Sequence, residues 1–390
     1  PGGVVVSTAR MRRIIEVDAR NRLAHVEAGV TNQAISDAAA PFGLFFAPDP
    51  SSQIACTIGG NVATNAGGPH TLKHGVTVNH VLGLTAVLAD GRVVTLGGRC
   101  EDPVGFDLLG AFVGSEGLFG LVTEVIVRLT PAPQGVRTML AVFDSLDDAT
   151  ETASDIIGEG LIPVALEMMD RLILQAVEAA YHLGLETDAE AVLIIEVDGL
   201  EAGLDEEMSW IETLCRRHGV RGVARATTPE ERERLWQARK HAAGALGRLS
   251  PSSCTQDVVV PRTKLPEMLR YVRRVAERHD LRIANVFHAG DGNLHPIMLF
   301  DERDAGQVQR VLRASRDIVA EAVRLGGTIT GEHGVGVEKT EYLGLMFNED
   351  DVEAMRRLRS VFDPDRRCNP NKVFPRRPAP PDDALAGTTR

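Results

Sequence analysis

Two short segments in the last third of the chain carry the side chains best suited to chemistry. The first, residues 285–295, reads NVFHAGDGNLH and contains His288 and His295. With Asp291 and Gly292 as the two central residues of a hairpin turn, His288 would lie directly opposite His295. Opposed residues have Cβ atoms roughly 5 Å apart, so both imidazoles could reach one metal ion. The spacing therefore predicts a metal site, although a polar hairpin surface is the simpler interpretation.

The second segment, residues 331–336, reads GEHGVG and is followed by Lys339. Its glycines permit a bent backbone, so the adjacent Glu332 and His333 need not point to opposite faces. A carboxylate ligand and an imidazole base could then flank one substrate atom. Alone, the segment also fits a glycine-rich helix C-cap. Together with the hairpin histidines, however, Glu332 completes a ligand set of two histidines and one carboxylate.

Two glycine-rich segments in the first third of the chain could approach an anion. Residues 48–68 contain PDPSS, CTIGGN and NAGG, in which paired glycines let backbone N–H groups come close to a diphosphate. Residues 114–120 read GSEGLFG and run into a strand, a pattern typical of backbone that meets a ligand or another strand. Neither segment is the GxGxxG turn of a Rossmann fold, and each alone could be a structural turn.

A further pattern, LWQARK at residues 235–240, offers cations to a substrate. Arg239 has the bidentate fork that suits a carboxylate, and Lys240 or Arg262 could neutralise the carboxylate further. On these residues alone, a solvated helix face is the simpler interpretation.

Composition excludes several classes of protein. The chain has 390 residues, 44% hydrophobic and 25% charged, which predicts two or three globular domains. A net charge of −12 and 4% aromatic residues argue against nucleic acid as a partner. No apolar run approaches the ~20 residues that span a bilayer. The five cysteines form no CxxC pair, which favours a reducing cytoplasm over a disulfide framework or a zinc knuckle.

The elements that must position these segments fall into two blocks, divided at residues 130–133 (TPAP). The first block is glycine-rich and strand-rich, with one helix after Thr31 and a hairpin turn at Asp90–Gly91. Its predicted strands lie at residues 3–6, 23–30, 81–89 and 118–129.

The second block alternates strands with amphipathic helices, which predicts an α+β, ferredoxin-like pattern. Its predicted strands lie at about residues 138–143, 164–169, 191–197, 221–226 and 254–260, followed by a hairpin at 283–300 and a helix at 304–325. Residues 376–390 are rich in Pro, Ala and Asp and are predicted to be a disordered tail.

With these motifs in this order, the sequence resembles the FAD-linked oxidases of 2-hydroxy acids, the family of glycolate oxidase and D-lactate dehydrogenase. The resemblance rests on PDPSS, CTIGGNVATNAGG, GSEGLFG, HAGDGNLH, GEHGVG and a final NPNKVF. It implies part of a PCMH-type FAD-binding domain over residues 1–132 and a ferredoxin-like FAD-linked oxidase C-terminal domain over 133–375. The family carries an Arg-Gly-x-Gly-Thr loop ahead of the point that matches Pro1, so we expect this chain to be N-terminally truncated and to bind FAD weakly by itself.

The resemblance also implies roles for individual residues. Those implied to contact FAD are Pro48, Ser52, Thr57, Ile58, Gly59, Gly60, Asn61, Gly67, Gly68, Gly114, Glu116, Gly117, Val122 and Asn369. A divalent metal, zinc in preference to manganese or iron, would bind to His288, His295 and Glu332. His333 would be the catalytic base, and Arg239 with Lys240 would hold the substrate carboxylate.

The implied activity is oxidation of a small D-2-hydroxy acid, glycolate or D-lactate, to the 2-oxo acid by hydride transfer to flavin N5. Ala243 stands where some relatives carry a substrate-contacting hydroxyl, and Ile297 stands where hydroxyglutarate enzymes carry Asn, which weakens a dicarboxylate assignment. The alternatives that remain open are an FAD-linked oxidase of the same fold that acts on D-2-hydroxyglutarate or an aryl alcohol, and a non-catalytic FAD-domain partner subunit. The predicted partners are the substrate and the other subunits of a glycolate oxidase complex. The predicted location is the cytoplasm, or the inner membrane periphery through those subunits.

Overall fold

The computed structural model describes residues 3–100 and 104–375, so the predicted disordered tail at 376–390 lies outside the described residues. In the first block the elements are, in order, β1 (Ile14–Asp18), β2 (Leu23–Glu27), α1 (Asn32–Ala39), β3 (Leu44–Phe45), α2 (Ile58–Thr64), α3 (Thr71–His74), β4 (Val81–Val87), β5 (Val93–Gly97), α4 (Leu108–Phe112), β6 (Leu121–Arg128) and β7 (Thr130–Pro131). An antiparallel N-terminal sheet runs in the order β1-β2-β6-β4-β5, and β3 pairs with β7.

Most predictions for the first block are confirmed. Strands β2, β4 and β6 lie within the predicted strands, and the turn at Asp90–Gly91 joins β4 to β5. Thr31 caps α1, because its side chain accepts a hydrogen bond from the Ala34 N–H at 3.2 Å. The predicted strand at residues 3–6 is wrong, since it has no strand partner among the described residues. The predicted helix after Thr31 is confirmed as α1, but the prediction that it is the only helix of this block is wrong, because α2, α3 and α4 also form and are too short for helical periodicity to be visible.

The second block follows the predicted alternation closely. Its elements are β8 (Gly135–Phe143), α5 (Leu146–Gly158), β9 (Ala165–Asp170), α6 (Arg171–Tyr181), β10 (Ala191–Gly199), α7 (Leu204–Arg217), β11 (Gly222–Arg225), α8 (Pro229–Lys240), α9 (Ala242–Ala245), β12 (Ser252–Thr255), β13 (Val258–Val259), α10 (Leu265–His279), β14 (Arg282–His288), β15 (Asn293–Phe300), α11 (Ala305–Arg324), α12 (Leu343–Met346) and α13 (Glu349–Phe362). The antiparallel C-terminal sheet runs β11-β8-β10-β9-β14-β15-β12, with β13 also paired to β15. Because the order fourth-first-third-second of its first four strands is ferredoxin-like, the predicted α+β class is confirmed.

The C-terminal sheet is buried on both faces, which explains its continuous apolar strands. On β10, Leu193 and Ile195 pack against α5 and α7, whereas Val192 and Ile194 pack with α6 and α9 on the opposite face. Each of these side chains contributes roughly 1.5–3 kcal/mol by burial. The sheet is therefore a rigid support for the hairpin formed by β14 and β15.

That hairpin forms, but its predicted register is wrong by two residues. His288 pairs with Asn293, and His295 pairs with Val286, so the turn spans residues 289–292. A partner outside the hairpin favours this register, because β13 pairs along β15 and the Val260 N–H donates to the Gly292 carbonyl at 3.0 Å. A slip of two residues preserves the face on which each side chain lies. The two histidines therefore still meet, as diagonal neighbours.

Gly292 is a position where the fold requires glycine. Its φ is +73°, and a Cβ there would lie 2.1 Å from the Val260 carbonyl oxygen. We expect Gly292→Ala to lower the free energy of unfolding by about 2–4 kcal/mol, from left-handed strain plus overpacking. Gly91 is the matched control, since its φ is +87° but nothing lies within 4 Å of an added Cβ. Denaturant unfolding should show that Gly91→Ala lowers the free energy of unfolding by only about 1–2 kcal/mol. If both variants lose the same free energy of unfolding, the contact between the added Cβ and the Val260 carbonyl oxygen contributes nothing.

Candidate functional site

Three side chains from separate elements meet at one point. His288 ends β14, His295 lies on β15, and Glu332 lies in the loop after α11. Glu332 Oε1 is 3.6 Å from His288 Nε2 and 3.3 Å from His295 Nε2. The three ligand atoms lie within 4.8 Å of one another. Bonds of about 2.1 Å in tetrahedral geometry place two ligand atoms roughly 3.4 Å apart, so the spacing fits one divalent cation.

The protonation states of Glu332 and His295 also fit a cation. Burial alone would raise the pKa of Glu332, but hydrogen bonds and charge from His288 and His295 hold that pKa well below its ordinary value. Burial lowers the pKa of His295, which favours neutral imidazole. The His295 Nδ1 atom is buried without a hydrogen-bond partner. An ionised carboxylate and a neutral imidazole are the forms that bind metals.

A buried carboxylate on β9, that of Glu167, binds the ring nitrogen of His288 that points away from Glu332. Glu167 accepts a hydrogen bond from His288 Nδ1 at 2.6 Å through one oxygen and from Arg239 Nε at 2.5 Å through the other. Burial opposes protonation of His288, yet the neighbouring Glu167 charge outweighs it and raises the pKa of His288 to about 10. At that pKa both ring nitrogens of His288 carry protons, so a cation that binds to Nε2 would displace the Nε2 proton, while Glu167 holds the proton on Nδ1. Arg239 joins the cluster through Glu167.

The structure does not bring Lys240 to the cluster. Its ammonium group lies 3.4 Å from Glu233 on the same helix, and 49% of its side chain is exposed. Successive residues on a helix point about 100° apart, so burial of Arg239 turns Lys240 towards solvent. Arg262 does approach the hairpin, because its Nη1 donates to the Gly290 carbonyl at 3.3 Å.

His333 lies at the open side of the cluster. Its Nε2 is 3.8 Å from Glu332 Oε1, its ring stacks on that of His295 with centroids 5.3 Å apart, and 51% of its side chain is exposed. An imidazole in this position can reach both a molecule at the cluster and bulk water. The geometry thus suits a base that passes its proton to solvent.

The first glycine-rich segment passes directly over the cluster. A Cβ on Gly67 would lie 3.3 Å from Glu332 Oε2, and a Cβ on Gly68 would lie 2.5 Å from the Asp49 carbonyl oxygen. Close backbone approach is the physical reason for both glycines. A ligand held by this loop would therefore be adjacent to the cluster.

Some of the residues predicted to contact FAD already have protein partners. The Ile58 and Gly59 N–H groups donate to the carbonyls of Val30 and Ala28 at 2.8 and 2.9 Å, so neither N–H is free for a diphosphate. Thr57 caps α2 by accepting from the Gly60 N–H, and Ser52 is exposed. Asn61 Nδ2 donates to the Asn32 side chain, whose own Nδ2 donates to the Pro48 carbonyl. Contacts of these residues with FAD remain a prediction.

The second glycine-rich segment is tied to the loop of residues 331–336. The Glu116 carboxylate accepts hydrogen bonds from the N–H groups of Val335 and Gly336 at 2.6 and 2.7 Å, so this side chain holds the loop. The Glu116 carbonyl accepts from Asn369 Nδ2 at 2.6 Å. Gly114 and Gly117 have positive φ beside these contacts, and Val122 is a buried residue of β6. Three motifs from distant parts of the sequence, GSEGLFG, GEHGVG and NPNKVF, therefore converge.

The sequence analysis missed two buried carboxylates. Glu167 interrupts the apolar run ALEMM, and Asp257 precedes the apolar run VVV. Both are at most 1% exposed, and a charge buried among apolar residues needs a specific partner. A lone acid within or directly before an apolar run was the available signal.

Comparison with known proteins defines the class of protein. Residues 1–97 match the model "FAD binding domain", and residues 132–373 match "FAD linked oxidases, C-terminal domain". The chain belongs to the FAD linked oxidase family. No helix among the described residues is long and apolar enough to cross a membrane.

Individual relatives agree with this family. The glycolate oxidase subunit GlcD of Escherichia coli (strain K12) is 45% identical over 373 residues, covering 96% of this chain and 75% of that protein. The D-lactate dehydrogenase of Anaerostipes hadrus is 32% identical over 381 residues, covering 95% of this chain and 80% of that protein. The structure of 4-ethylphenol oxidase from Gulosibacter chungangensis superposes with a TM-score of 0.73 at 18% identity, covering 94% of this chain and 79% of that chain. At that identity the likeness establishes the fold alone.

Proposed function

We propose that this protein is an FAD-dependent oxidoreductase that converts a small D-2-hydroxy acid, glycolate or D-lactate, to its 2-oxo acid. The observation that supports this most directly is the close packing of Gly67 on Glu332, where a Cβ added to Gly67 would lie 3.3 Å from Glu332 Oε2. Gly67 belongs to the part that matches an FAD binding domain, and Glu332 belongs to the part that matches the oxidase C-terminal domain. A substrate at the cluster would therefore lie beside the flavin.

The cofactor, the cation and the side chains of the cluster would each have a separate role in the reaction. Bound FAD would supply a hydride acceptor, and a divalent cation held by His288, His295 and Glu332 would supply Lewis acidity. His333 would accept the substrate hydroxyl proton at Nε2 and release it to solvent. The terminal guanidinium nitrogens of Arg239 would hold the substrate carboxylate, while Glu167 fixes the orientation of the Arg239 side chain through Nε.

The different surroundings of Arg239 and Lys240 make a testable contrast. Arg239→Lys should raise KM roughly 10-fold or more with a smaller effect on kcat, because the bidentate fork is lost. Lys240→Ala should leave both constants within about twofold, because an exposed cation paired with Glu233 contributes little. Steady-state kinetics with the same substrate would measure both. A larger effect from Lys240→Ala would reverse the two assignments.

We further propose that the chain works with other subunits, since its Escherichia coli relative is named a subunit of glycolate oxidase. In that arrangement the enzyme would be cytoplasmic or held at the inner membrane periphery by its partners.

The deciding experiment is a visible absorption spectrum of the purified protein with excess FAD, followed by anaerobic addition of candidate substrates. Glycolate or D-lactate should bleach the long-wavelength flavin band, whereas L-lactate and 4-cresol should not. Bleaching by 4-cresol alone would support an aryl-alcohol oxidase, and bleaching by D-2-hydroxyglutarate alone would support a dicarboxylate enzyme. Protein-bound flavin that none of these compounds bleaches would overturn the proposal in favour of a non-catalytic partner subunit.

A further inference from the structure

We infer that Asp257 is the positioning residue that holds the loop of Glu332 and His333 in register with His295. The inference rests on the proposed function, because it concerns the cation site. Asp257 lies between β12 and β13 and is 0% exposed. It lies against two of the three elements that carry the cluster, the loop of residues 331–336 and β15.

One carboxylate oxygen of Asp257 organises the loop. Oδ2 accepts hydrogen bonds from the Thr330 hydroxyl at 2.6 Å and from the N–H groups of Gly331, Glu332 and His333 at 2.9, 3.1 and 2.9 Å. Three consecutive N–H groups converge on one oxygen only when the backbone bends tightly around it. This bend explains how the adjacent Glu332 and His333 side chains both reach the cluster.

The other oxygen faces the hairpin. Asp257 Oδ1 lies 3.8 Å from His295 Nδ1, which is buried without a hydrogen-bond partner. When His295 binds a cation through Nε2, its proton must reside on Nδ1, and a histidine ligand normally donates that proton to a carboxylate or carbonyl. Asp257 therefore faces Nδ1 of His295, just as Glu167 faces Nδ1 of His288.

Lys339 compensates the buried charge of Asp257. Its ammonium group lies 3.6 Å from Asp257 Oδ2 and donates to the Asp257 carbonyl at 2.6 Å. With this ammonium group beside it, the Asp257 carboxylate can remain buried as an anion and accept every hydrogen bond that the loop offers.

Asp257, His295 and His333 also offer ligand atoms within 4.8 Å of one another, which would suit a second cation. The donors around Asp257 argue against this assignment. Oδ2 already accepts four hydrogen bonds, and Lys339 adds a positive charge beside it. A positioning role accounts for all of these contacts.

The test replaces Asp257 with Asn and measures two quantities on the full chain. Zn²⁺ affinity, measured by competition with a chelator, should fall roughly 10- to 100-fold, as expected when a residue that orients metal ligands is lost. Amide hydrogen exchange of residues 331–333 should become faster, because the neutral amide oxygen of Asn accepts the four hydrogen bonds of the loop more weakly than a carboxylate oxygen does. The exchange measurement needs no metal, so it separates this inference from the proposed function.

Asp170→Asn is the matched control. Asp170 is also a buried carboxylate, and it accepts from the N–H groups of Ile173 and Asn285 at 3.0 and 2.7 Å but has no hydrogen bond to the cluster. It should lower the melting temperature while leaving Zn²⁺ affinity within about twofold. Thr330→Val, which removes only one donor to Asp257, keeps the test available if Asp257→Asn fails to fold. It should weaken Zn²⁺ binding a few-fold and accelerate exchange in the same segment.

Faster exchange together with weaker Zn²⁺ binding in the Asp257 or Thr330 variant, but not in the Asp170 variant, supports the inference. Unchanged exchange at residues 331–333 in folded Asp257→Asn overturns it, whatever the metal affinity. Equal acceleration in Asp170→Asn also overturns it, because the effect would then be one of global stability. Wild-type protein that binds no Zn²⁺ would contradict the metal part of the proposed function, whereas faster exchange at residues 331–333 in Asp257→Asn alone would still support the positioning role of Asp257.

Discussion

Replacing His295 with Ala should remove roughly one bound metal ion per chain and lower kcat about 1000-fold. His295 Nε2 is the histidine nitrogen nearest to Glu332, and its loss leaves two ligands where zinc needs at least three from the protein. The several kcal/mol that a Lewis-acid cation contributes to catalysis would be lost with the ion. Elemental analysis of undialysed protein and steady-state kinetics would measure both effects.

His279→Ala is the control for this variant. His279 also pairs with a carboxylate, Asp317 at 2.9 Å, but it ends α10 and is not part of the cluster. It should keep its metal content and most of its turnover. If wild-type, His295→Ala and His279→Ala proteins all contain the same amount of metal, the ligand assignment is wrong.

Replacing His333 with Ala should lower kcat by roughly 10²–10⁴-fold, the usual contribution of a general base, with KM changed much less. Metal content should stay the same, because the remaining set of His288, His295 and Glu332 is complete. The half-exposed position of His333 leaves room for a small base, so added imidazole should restore part of the activity. An increase in KM at unchanged kcat would instead indicate that His333 binds the substrate and does not act as the base.

Residue spacing predicted the candidate cluster well where its signals are local. The hairpin sequence predicts that His288 and His295 share one face, because alternation along a strand has a period of two. The adjacent pair Glu332–His333 among glycines predicts a bent loop with two functional side chains. Both predictions concern residues close together in the chain, for which backbone geometry limits the alternatives.

The hairpin register could not be predicted in the same way. Within the hairpin, a two-residue turn centred on Asp291 and Gly292 is a favourable choice. The observed register also satisfies β13 and the Val260 N–H, which lie outside the hairpin. The sequence of the hairpin shows only the preference of its turn. It does not show that a hydrogen bond from outside the hairpin favours a different register.

Sequence by itself determined the α+β class, the order of the long elements and the residue types at the candidate metal site. Alternation, helix periodicity and glycine placement are properties of neighbouring residues, and they were sufficient for these features. Only the tertiary structure decided which charges are paired. Arg239 is buried against Glu167 while Lys240 faces solvent, and Asp257 accepts hydrogen bonds from a loop more than seventy residues away. Such pairings depend on which groups, distant in sequence, are buried together. Burying a charge without a partner costs too much free energy, so each buried charge is paired.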